Sequence, residues 1–198
     1  KHALEIETKI IDGLAELGIL KAKFQVKFFP KAESIYDLEH YSINCLEDIE
    51  FLFSANYGEE LKPLAKTISG GEMSRFMLVF KNVIAELDGS ETLIFDEIDA
   101  GISGKVANSV ALKIAKLSKK YQIICITHLP QVASMGDSFY YVSKGQNKER
   151  TETQIKILEN EQISEELALL SYGKIDDNSL NFAKNMLSQN KQIKLNIE

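Results

Sequence analysis

The sequence has 198 residues, of which 44% are hydrophobic and 26% are charged, and 23 basic against 29 acidic side chains give a net charge of −6. This composition is too apolar for a disordered chain, and the length is sufficient for a large domain with a substantial core. No apolar run approaches the roughly 20 residues of a membrane-spanning helix, and the N-terminal segment has no secretory signal, so neither class of protein is indicated. The acidic balance argues against a nucleic-acid-binding surface over the whole chain, although a local basic patch remains compatible with it.

The first part of the chain combines a helix with antiparallel strands. Apolar residues at steps of four and three predict an amphipathic helix over residues 1–20. Alternating apolar residues then predict two strands, at 24–28 and 49–53, which pair as a hairpin. The polar residues 31–46 between them are predicted to form a loop or an insertion.

The middle of the chain changes to alternating helices and strands. Helices are predicted at about 71–87 and 104–120, and strands are predicted at 92–95 and 122–127. Both strands are nearly continuous apolar runs with a helix between them, which is typical of parallel strands that are buried on both faces. We therefore predict an α/β fold in which parallel strands are flanked by helices.

The last part returns to antiparallel strands and ends in helices. Alternating residues predict a hairpin of strands at 138–143 and 153–158, which places antiparallel strands at both edges of the fold. Two short amphipathic helices are predicted at 162–171 and 177–188, and residues 189–198 are expected to be a frayed tail.

A Ser-Gly-Gly-Glu segment, Ser69 to Glu72, stands where a loop is predicted to meet a helix. Free backbone N–H groups, a hydroxyl and the positive end of a helix dipole are the parts of a phosphate-binding site. Gly70 and Gly71 would let the backbone approach an anion closely. The same segment also fits a capping box, in which Ser69 and Glu72 do no more than cap the helix, so the residues alone leave both interpretations open.

Two adjacent carboxylates, Asp96 and Glu97, end the first buried strand. Open α/β sheets place their ligands at the carboxyl ends of the strands. One carboxylate there can hold a hydrated Mg²⁺, and the next can orient and deprotonate a water that attacks a phosphoryl group. The alternative is a pair of solvated turn acids, with Asp99 capping the loop that follows.

A histidine, His128, stands directly after the second buried strand. An imidazole at this position can reach the same ligand crevice and donate a hydrogen bond to a terminal phosphate. A structural histidine that only satisfies its own hydrogen bonds is the alternative.

Together these motifs resemble those of the ABC-type ATPases, in the form used by the SMC-like branch. ISGGE is similar to the signature motif of that branch, and LIFDE is similar to a Walker B motif with its catalytic glutamate. Asp99 stands where the family's D-loop lies, and His128 stands where its switch histidine lies. More narrowly, LIFDEIDAGISG and ITHLPQVASMGD are similar to the SMC-like proteins of bacterial DNA recombination and repair. The segments GISG and HLPQ separate these proteins from chromosome-structuring SMC proteins, whose head is a further alternative.

The resemblance implies an α/β fold, the C-terminal lobe of an ABC/SMC-type P-loop ATPase head. Residues 1–20 would be the end of a coiled-coil arm, and residues 21–198 would be the lobe; the alternative for 1–20 is a surface helix of a compact domain. No G-x-x-x-x-G-K-[ST] segment occurs in the sequence, and the family carries this Walker A loop in a separate N-terminal lobe. We therefore expect the chain to be part of a longer protein and to be inactive as an ATPase on its own.

The resemblance also implies a role for each residue at the head's own ATP. Asp96 would bind Mg²⁺, and Glu97 would act as the general base on the attacking water. His128 would contact the γ-phosphate of the same ATP.

A second copy of the head would complete the site. Ser69, Gly70, Gly71 and Glu72 would cap ATP that is held by this second copy, and Asp99 would lie at the seam between the two heads. ATP would thus be sandwiched in a homodimer that forms when ATP binds.

The expected partners follow from the same resemblance. They are the N-terminal Walker A lobe of the same protein, the second head, DNA gripped through other regions, and a recombinase. The expected location is the cytoplasm of a bacterium, at the nucleoid and away from any membrane. A protein of another class, a non-catalytic docking lobe for a Walker A lobe, DNA or a repair partner, is the alternative for the chain by itself.

Overall fold

The chain is described by a computed structural model, and it divides into two units after Gly89. The residues that the structure describes are 2–30, 47–67, 70–96, 98–147 and 150–197. The predicted loop or insertion at 31–46 lies outside these ranges. None of the described helices is both long enough and apolar enough to cross a membrane.

The first unit joins two long helices to an antiparallel sheet. Its elements are α1 (His2–Glu16), β1 (Lys23–Pro30), β2 (Glu47–Ser54), β3 (Lys62–Pro63), α2 (Leu64–Thr67) and α3 (Gly70–Asp88). The sheet order is β1-β2-β3, and the predicted hairpin is present, with Phe24 opposite Phe53 and Val26 opposite Phe51.

Aromatic rings fill the space between this sheet and α3. The ring of Phe76, on α3, is fully buried, and its centroid lies 5.4 Å from that of Phe24 and 5.7 Å from those of Phe53 and Phe80. Such tilted and offset ring pairs add to the stabilisation that burial of their area gives. Phe76 is therefore the central packing residue of the helix that begins at Gly70.

Helix α1 packs tightly on α3 through its apolar face. Ile10 and Leu14 are fully buried, as the predicted periodicity requires. Between them, a Cβ built on Gly13 would lie 2.5 Å from Cγ1 of Val79, so the absence of a side chain allows the two helices to approach closely. The assignment of this helix to the end of a coiled-coil arm stays a prediction.

The second unit alternates strands and helices and closes with a helical pair. Its elements are β4 (Thr92–Asp96), α4 (Gly104–Leu117), β5 (Gln122–Ile126), α5 (Pro130–Ala133), β6 (Phe139–Asn147), β7 (Arg150–Leu158), α6 (Glu161–Tyr172) and α7 (Asp177–Leu195). As predicted, β4 and β5 are parallel, and β6 and β7 form an antiparallel hairpin.

The prediction that both faces of the parallel strands are buried was wrong for the described part of the chain. Leu93 and Phe95 are buried on one face of β4. On the other face, Ile94 and Ile124 lie side by side, and Ile94, Ile124 and Ile126 are 67%, 47% and 54% exposed. The sheet of β4 and β5 therefore has one face that is covered and one apolar face that is open to solvent.

The predicted frayed tail was also wrong, because α7 continues to Leu195. Near its end, the Lys194 ammonium donates to the carbonyl of Gly136 at 3.0 Å and to the carboxylate of Asp137 at 2.7 Å. One turn earlier, the Asn190 amide donates to the Ser134 hydroxyl at 2.7 Å. These contacts hold the polar last turns of α7 against the segment that follows α5, and apolar periodicity gives no sign of them.

Candidate functional site

The carboxyl ends of β4 and β5 bring the predicted acid and histidine to one edge of a sheet. In the parallel register, Asp96 is the partner of Ile126, and Thr127 and His128 follow directly. Asp96 is exposed at this edge, on the same face as the open isoleucines. This edge is where a doubly wound sheet offers room for a ligand.

The side chain of Asp99 lies beneath this edge and is fully buried. Its Oδ2 atom accepts a hydrogen bond from the Thr127 hydroxyl and further bonds from the backbone N–H groups of His128 at 2.9 Å and Leu129 at 3.1 Å. A buried carboxylate needs such compensation, because burial without hydrogen bonds costs several kcal/mol or more. Asp99 thus ties the turn after β4 to the turn after β5.

The imidazole of His128 reaches from this buried carboxylate to solvent. Its Nδ1 atom lies 3.3 Å from Oδ1 of Asp99, while the side chain is 66% exposed. Oδ1 itself is buried and has no hydrogen-bond partner among the described residues. The two predicted site residues Asp99 and His128 are therefore neighbours, whereas the prediction that Asp99 lies at a seam between heads is not tested by these contacts.

Two carboxylates, those of Asp96 and Asp99, lie near the end of β5. Burial, together with the smaller effect of the nearby charges of Asp99 and Asp96, raises the pKa of the Cys125 thiol to about 12. The thiol is thus protonated at neutral pH, and it is neither a nucleophile nor a ready metal ligand. The same electrostatics favour a bound cation at this edge of the sheet.

Magnesium is compatible with the exposed carboxylate of Asp96. Mg²⁺ is commonly held by one or two carboxylates together with waters and substrate phosphates, so it does not need a cage of protein ligands. The described residues contain no group of three or more His, Cys, Asp or Glu side chains that could form such a cage. Glu97, the predicted base, lies outside the described residues.

The predicted phosphate-binding segment opens α3 in the first unit. Helix α3 begins at Gly70, so Gly71 and Glu72 lie in its first turn, and Ser69 lies outside the described residues. Arg75 lies one helical turn after Gly71. Its guanidinium donates to the carbonyl of Gly71 at 3.2 Å and to the carbonyl of Leu17 at 3.4 Å. Arg75 therefore ties the start of α3 to the residue that directly follows α1, a packing role that its surroundings in the sequence do not indicate.

Thr127 contributes to the site through hydrogen bonds that the sequence pattern does not indicate. Its hydroxyl bonds Asp99 and also accepts from the N–H of Leu129 at 3.1 Å, which fixes the turn on both sides of His128. The available signal was its place between a buried strand and a candidate histidine, since hydroxyl side chains often bond the backbone of turns.

Comparison with curated proteins finds relatives over almost the whole chain. It is 40% identical over 195 residues to the DNA repair protein RecN of Halalkalibacterium halodurans and 42% identical over 199 residues to the DNA repair protein RecN of Bacillus subtilis. Each alignment covers 98% of this chain and 34% of the relative, so the chain spans about a third of the length of these relatives. The matching third is their C-terminal part. No protein-family model matches the chain.

Comparison with solved structures finds the same architecture. A structure from work on ATP-driven dimerization and DNA-stimulated activation of SMC ATPases matches with a TM-score of 0.52 at 19% identity, covering 86% of this chain and 92% of the solved one. At this identity the likeness concerns the fold alone. It confirms the predicted α/β class, with helices that flank parallel and antiparallel strands as in SMC ATPase heads.

Proposed function

Because the chain belongs to the RecN family of DNA repair proteins and matches the C-terminal part of its relatives, we propose that it is the C-terminal lobe of an ATPase head. This head would act in the repair of DNA double-strand breaks. ATP binding would close two heads, and hydrolysis would reopen them, so that DNA at a break is tethered or released. The observation that carries the proposal is the parallel pairing of Asp96 with Ile126, which brings Asp96 and the turn that contains His128 to the same carboxyl edge of β4 and β5.

The chemistry proposed for this edge is attack of water on the γ-phosphate of ATP. Asp96, exposed at the end of β4, would hold Mg²⁺, which when bound neutralises charge on the β- and γ-phosphates. Glu97 would take the proton of the attacking water, and His128 would hydrogen-bond the γ-phosphate. Here the protein needs only to position the reacting groups and to compensate the charge of the phosphates, because phosphoryl transfer requires little covalent chemistry from the enzyme.

The segment from Ser69 to Glu72, which we assign as the signature segment, would act on the ATP of the opposite head. Gly70 and Gly71 begin α3, where free backbone N–H groups and the helix dipole favour an anion. Ser69 and Glu72 would complete this cap. The packing of α3 through Phe76 and the bonds of Arg75 support the proposal, because they hold the start of the helix in a fixed place.

The open isoleucine face would be covered by the N-terminal Walker A lobe of the same protein. Ile94, Ile124 and Ile126 form a contiguous apolar surface on the sheet that also carries Asp96. Parallel sheets in α/β proteins are normally covered on both faces, and exposed apolar patches mark interaction sites. About two thirds of each relative lies outside the region that matches this chain, and that part is long enough to contain a lobe that covers this face.

The hairpin of β6 and β7 presents a second open apolar face. Tyr140 pairs with Ile157 and Val142 pairs with Ile155, and all four side chains are exposed. An isolated two-stranded hairpin is marginally stable in water, so a covering element is also expected here. We assign this face to the same lobe.

The docking of the Walker A lobe can be tested by placing a charge on the isoleucine face. We expect Ile124→Lys to weaken binding of a separately produced N-terminal lobe at least tenfold, about 1.4 kcal/mol, because the ammonium would be buried without a partner. Ile175→Lys is a matched control, since Ile175 lies between α6 and α7 and is 49% exposed against 47% for Ile124. Calorimetric titration measures both affinities, and equal affinities for the two variants would contradict the assigned face.

A non-catalytic docking lobe is the second candidate function. It is favoured by the absence of any Walker A segment from the sequence. ATP hydrolysis by the two lobes together distinguishes the two candidate functions. An ATPase head needs the carboxylates at the end of β4 for hydrolysis, whereas a docking lobe does not. DNA would be bound through other regions of the protein in either case, in keeping with the net charge of −6. The proposed location is the bacterial cytoplasm at the nucleoid, and a recombinase is a proposed further partner.

A further inference from the structure

Arg75 joins two backbone carbonyls that lie far apart in the sequence. Its Nε atom donates to the carbonyl of Gly71 at 3.2 Å, and its Nη1 atom donates to the carbonyl of Leu17 at 3.4 Å, directly after α1. A guanidinium is planar and its N–H groups have fixed directions, so bonds from two of its nitrogens set the position of one carbonyl relative to the other. Burial lowers the pKa of Arg75 and the neighbouring charge of Glu72 raises it, but the guanidinium stays protonated in either case.

The turn that supplies the Leu17 carbonyl is itself fixed by hydrogen bonds. Gly18 has a φ of 83°, in the left-handed region, and its N–H donates to the carbonyl of Ala15 at 3.1 Å. The N–H of Ile19 donates to the carbonyl of Leu14 at 2.9 Å. A left-handed glycine with such bonds is a common way to end a helix. The arginine is therefore anchored to a backbone that has a defined conformation.

We infer that Arg75 is a positioning residue for the signature segment, because it holds the peptide unit between Gly71 and Glu72 against the turn after α1. The carbonyl and the N–H of a trans peptide unit are coplanar and point in opposite directions, so the bond that holds the Gly71 carbonyl also orients the N–H of Glu72. N–H groups in a helix point toward its start, where the phosphate is proposed to bind. The inference rests on the proposed function, since it takes the capping of ATP in the second head as the task that Arg75 serves.

Arg75→Met and Arg75→Lys separate position from charge. Methionine keeps an apolar stem without any donor, and lysine keeps the charge without the planar fork. In the complete protein we expect kcat to fall about 10- to 100-fold in Arg75→Met and roughly threefold or more in Arg75→Lys, because a small displacement of a positioning group is enough for such losses. Lys81→Met removes a cation from the same helix and should leave turnover unchanged. Wild-type turnover by either Arg75 variant would overturn the inference.

The anchoring through Leu17 can be tested at Gly18. Alanine disfavours the left-handed conformation and should displace the Leu17 carbonyl, whereas asparagine tolerates it. We expect Gly18→Ala to lower kcat about tenfold alone but less than about twofold further when Arg75→Met is already present. Gly18→Asn should have a smaller effect than Gly18→Ala. Full additivity of Gly18→Ala and Arg75→Met would show that Arg75 does not act through this turn.

Mixed dimers test whether Arg75 acts on the ATP of the other head. Asp96→Asn impairs the site that holds a head's own ATP, and Arg75→Met would impair the cap that a head offers to its partner. A dimer with one copy of each variant then has one complete site. Dimers purified through a different affinity tag on each copy should show roughly half of the wild-type turnover, since one of two equivalent sites is complete. Ser69→Arg paired with Asp96→Asn is the positive control, because Ser69 lies in the signature segment itself.

The two pairs distinguish failure of this inference from failure of the proposed function. Turnover that is restored in the Ser69→Arg pair but not in the Arg75→Met pair would overturn the inference alone. If the Ser69→Arg pair is also inactive, or if the wild-type complete protein does not hydrolyse ATP, the proposed function fails and the inference fails with it. Should Arg75→Met not fold, the pair is made with Arg75→Lys, and the same results decide.

Discussion

Replacement of Glu97 by glutamine in the complete protein is expected to lower ATP turnover by about 10²- to 10⁴-fold and to trap two heads closed on ATP. A glutamine amide has the size of the carboxylate but cannot accept the proton of the attacking water. The proposed contacts that bind ATP, through Asp96 and through the signature segment of the other head, are not altered by the change. Binding should therefore persist while hydrolysis stops. Steady-state phosphate release measures the first effect, and light scattering after gel filtration with ATP measures the second.

Glu91→Gln is the matched control for this experiment. Glu91 is exposed and stands immediately before β4, so the same chemical change is made at the opposite end of the same strand. This variant should hydrolyse ATP and form ATP-dependent dimers as the wild type does. Wild-type turnover by Glu97→Gln would remove Glu97 from the role of general base.

Removal of the Phe76 side chain is expected to have the largest effect on stability. The ring is fully buried and packs against the rings of Phe24, Phe53 and Phe80, so Phe76→Ala leaves a cavity as well as losing apolar burial. Such truncations cost about 3–5 kcal/mol of the free energy of unfolding. Because α3 begins at Gly70, the same change should also weaken the ATP-dependent dimer to which the signature segment is proposed to contribute.

Met77→Ala controls for the loss of a large apolar residue from the same helix. Met77 is the next residue on α3 and is 36% exposed, so its truncation should change the free energy of unfolding by no more than about 1 kcal/mol. Urea denaturation followed by circular dichroism compares the two variants. A Phe76→Ala chain as stable as Met77→Ala would contradict the central place of Phe76 in the packing of α3.

The elements that position the site could be predicted because their signals are local. Two apolar runs with a helix between them predicted the parallel strands β4 and β5, and the structure confirms their direction. Alternation predicted both hairpins in the same way. The sequence could not reveal that Ile94 and Ile124 remain exposed. A continuous apolar run looks the same whether one face of the strand or both faces are covered.

The burial of Asp99 could not be predicted for a different reason. Asp-Ala-Gly after a strand is typical of an exposed turn, and aspartate is rarely fully buried unless it is paired. Its partners, Thr127, His128 and Leu129, lie 28 to 30 residues further along the chain. Contacts at that distance are set by the parallel pairing of β4 with β5, and periodicity carries no information about them. The link between Asp99 and His128 therefore comes from the structure.

The most direct test of the account is ATP hydrolysis by the 198-residue chain alone, by a separately produced Walker A lobe alone, and by the two together. If the chain is one half of an ATPase head, neither lobe hydrolyses ATP by itself and the mixture does, with activity that disappears in Glu97→Gln. Appreciable hydrolysis by the 198 residues alone would contradict the account, since no Walker A segment exists in them to hold the phosphates.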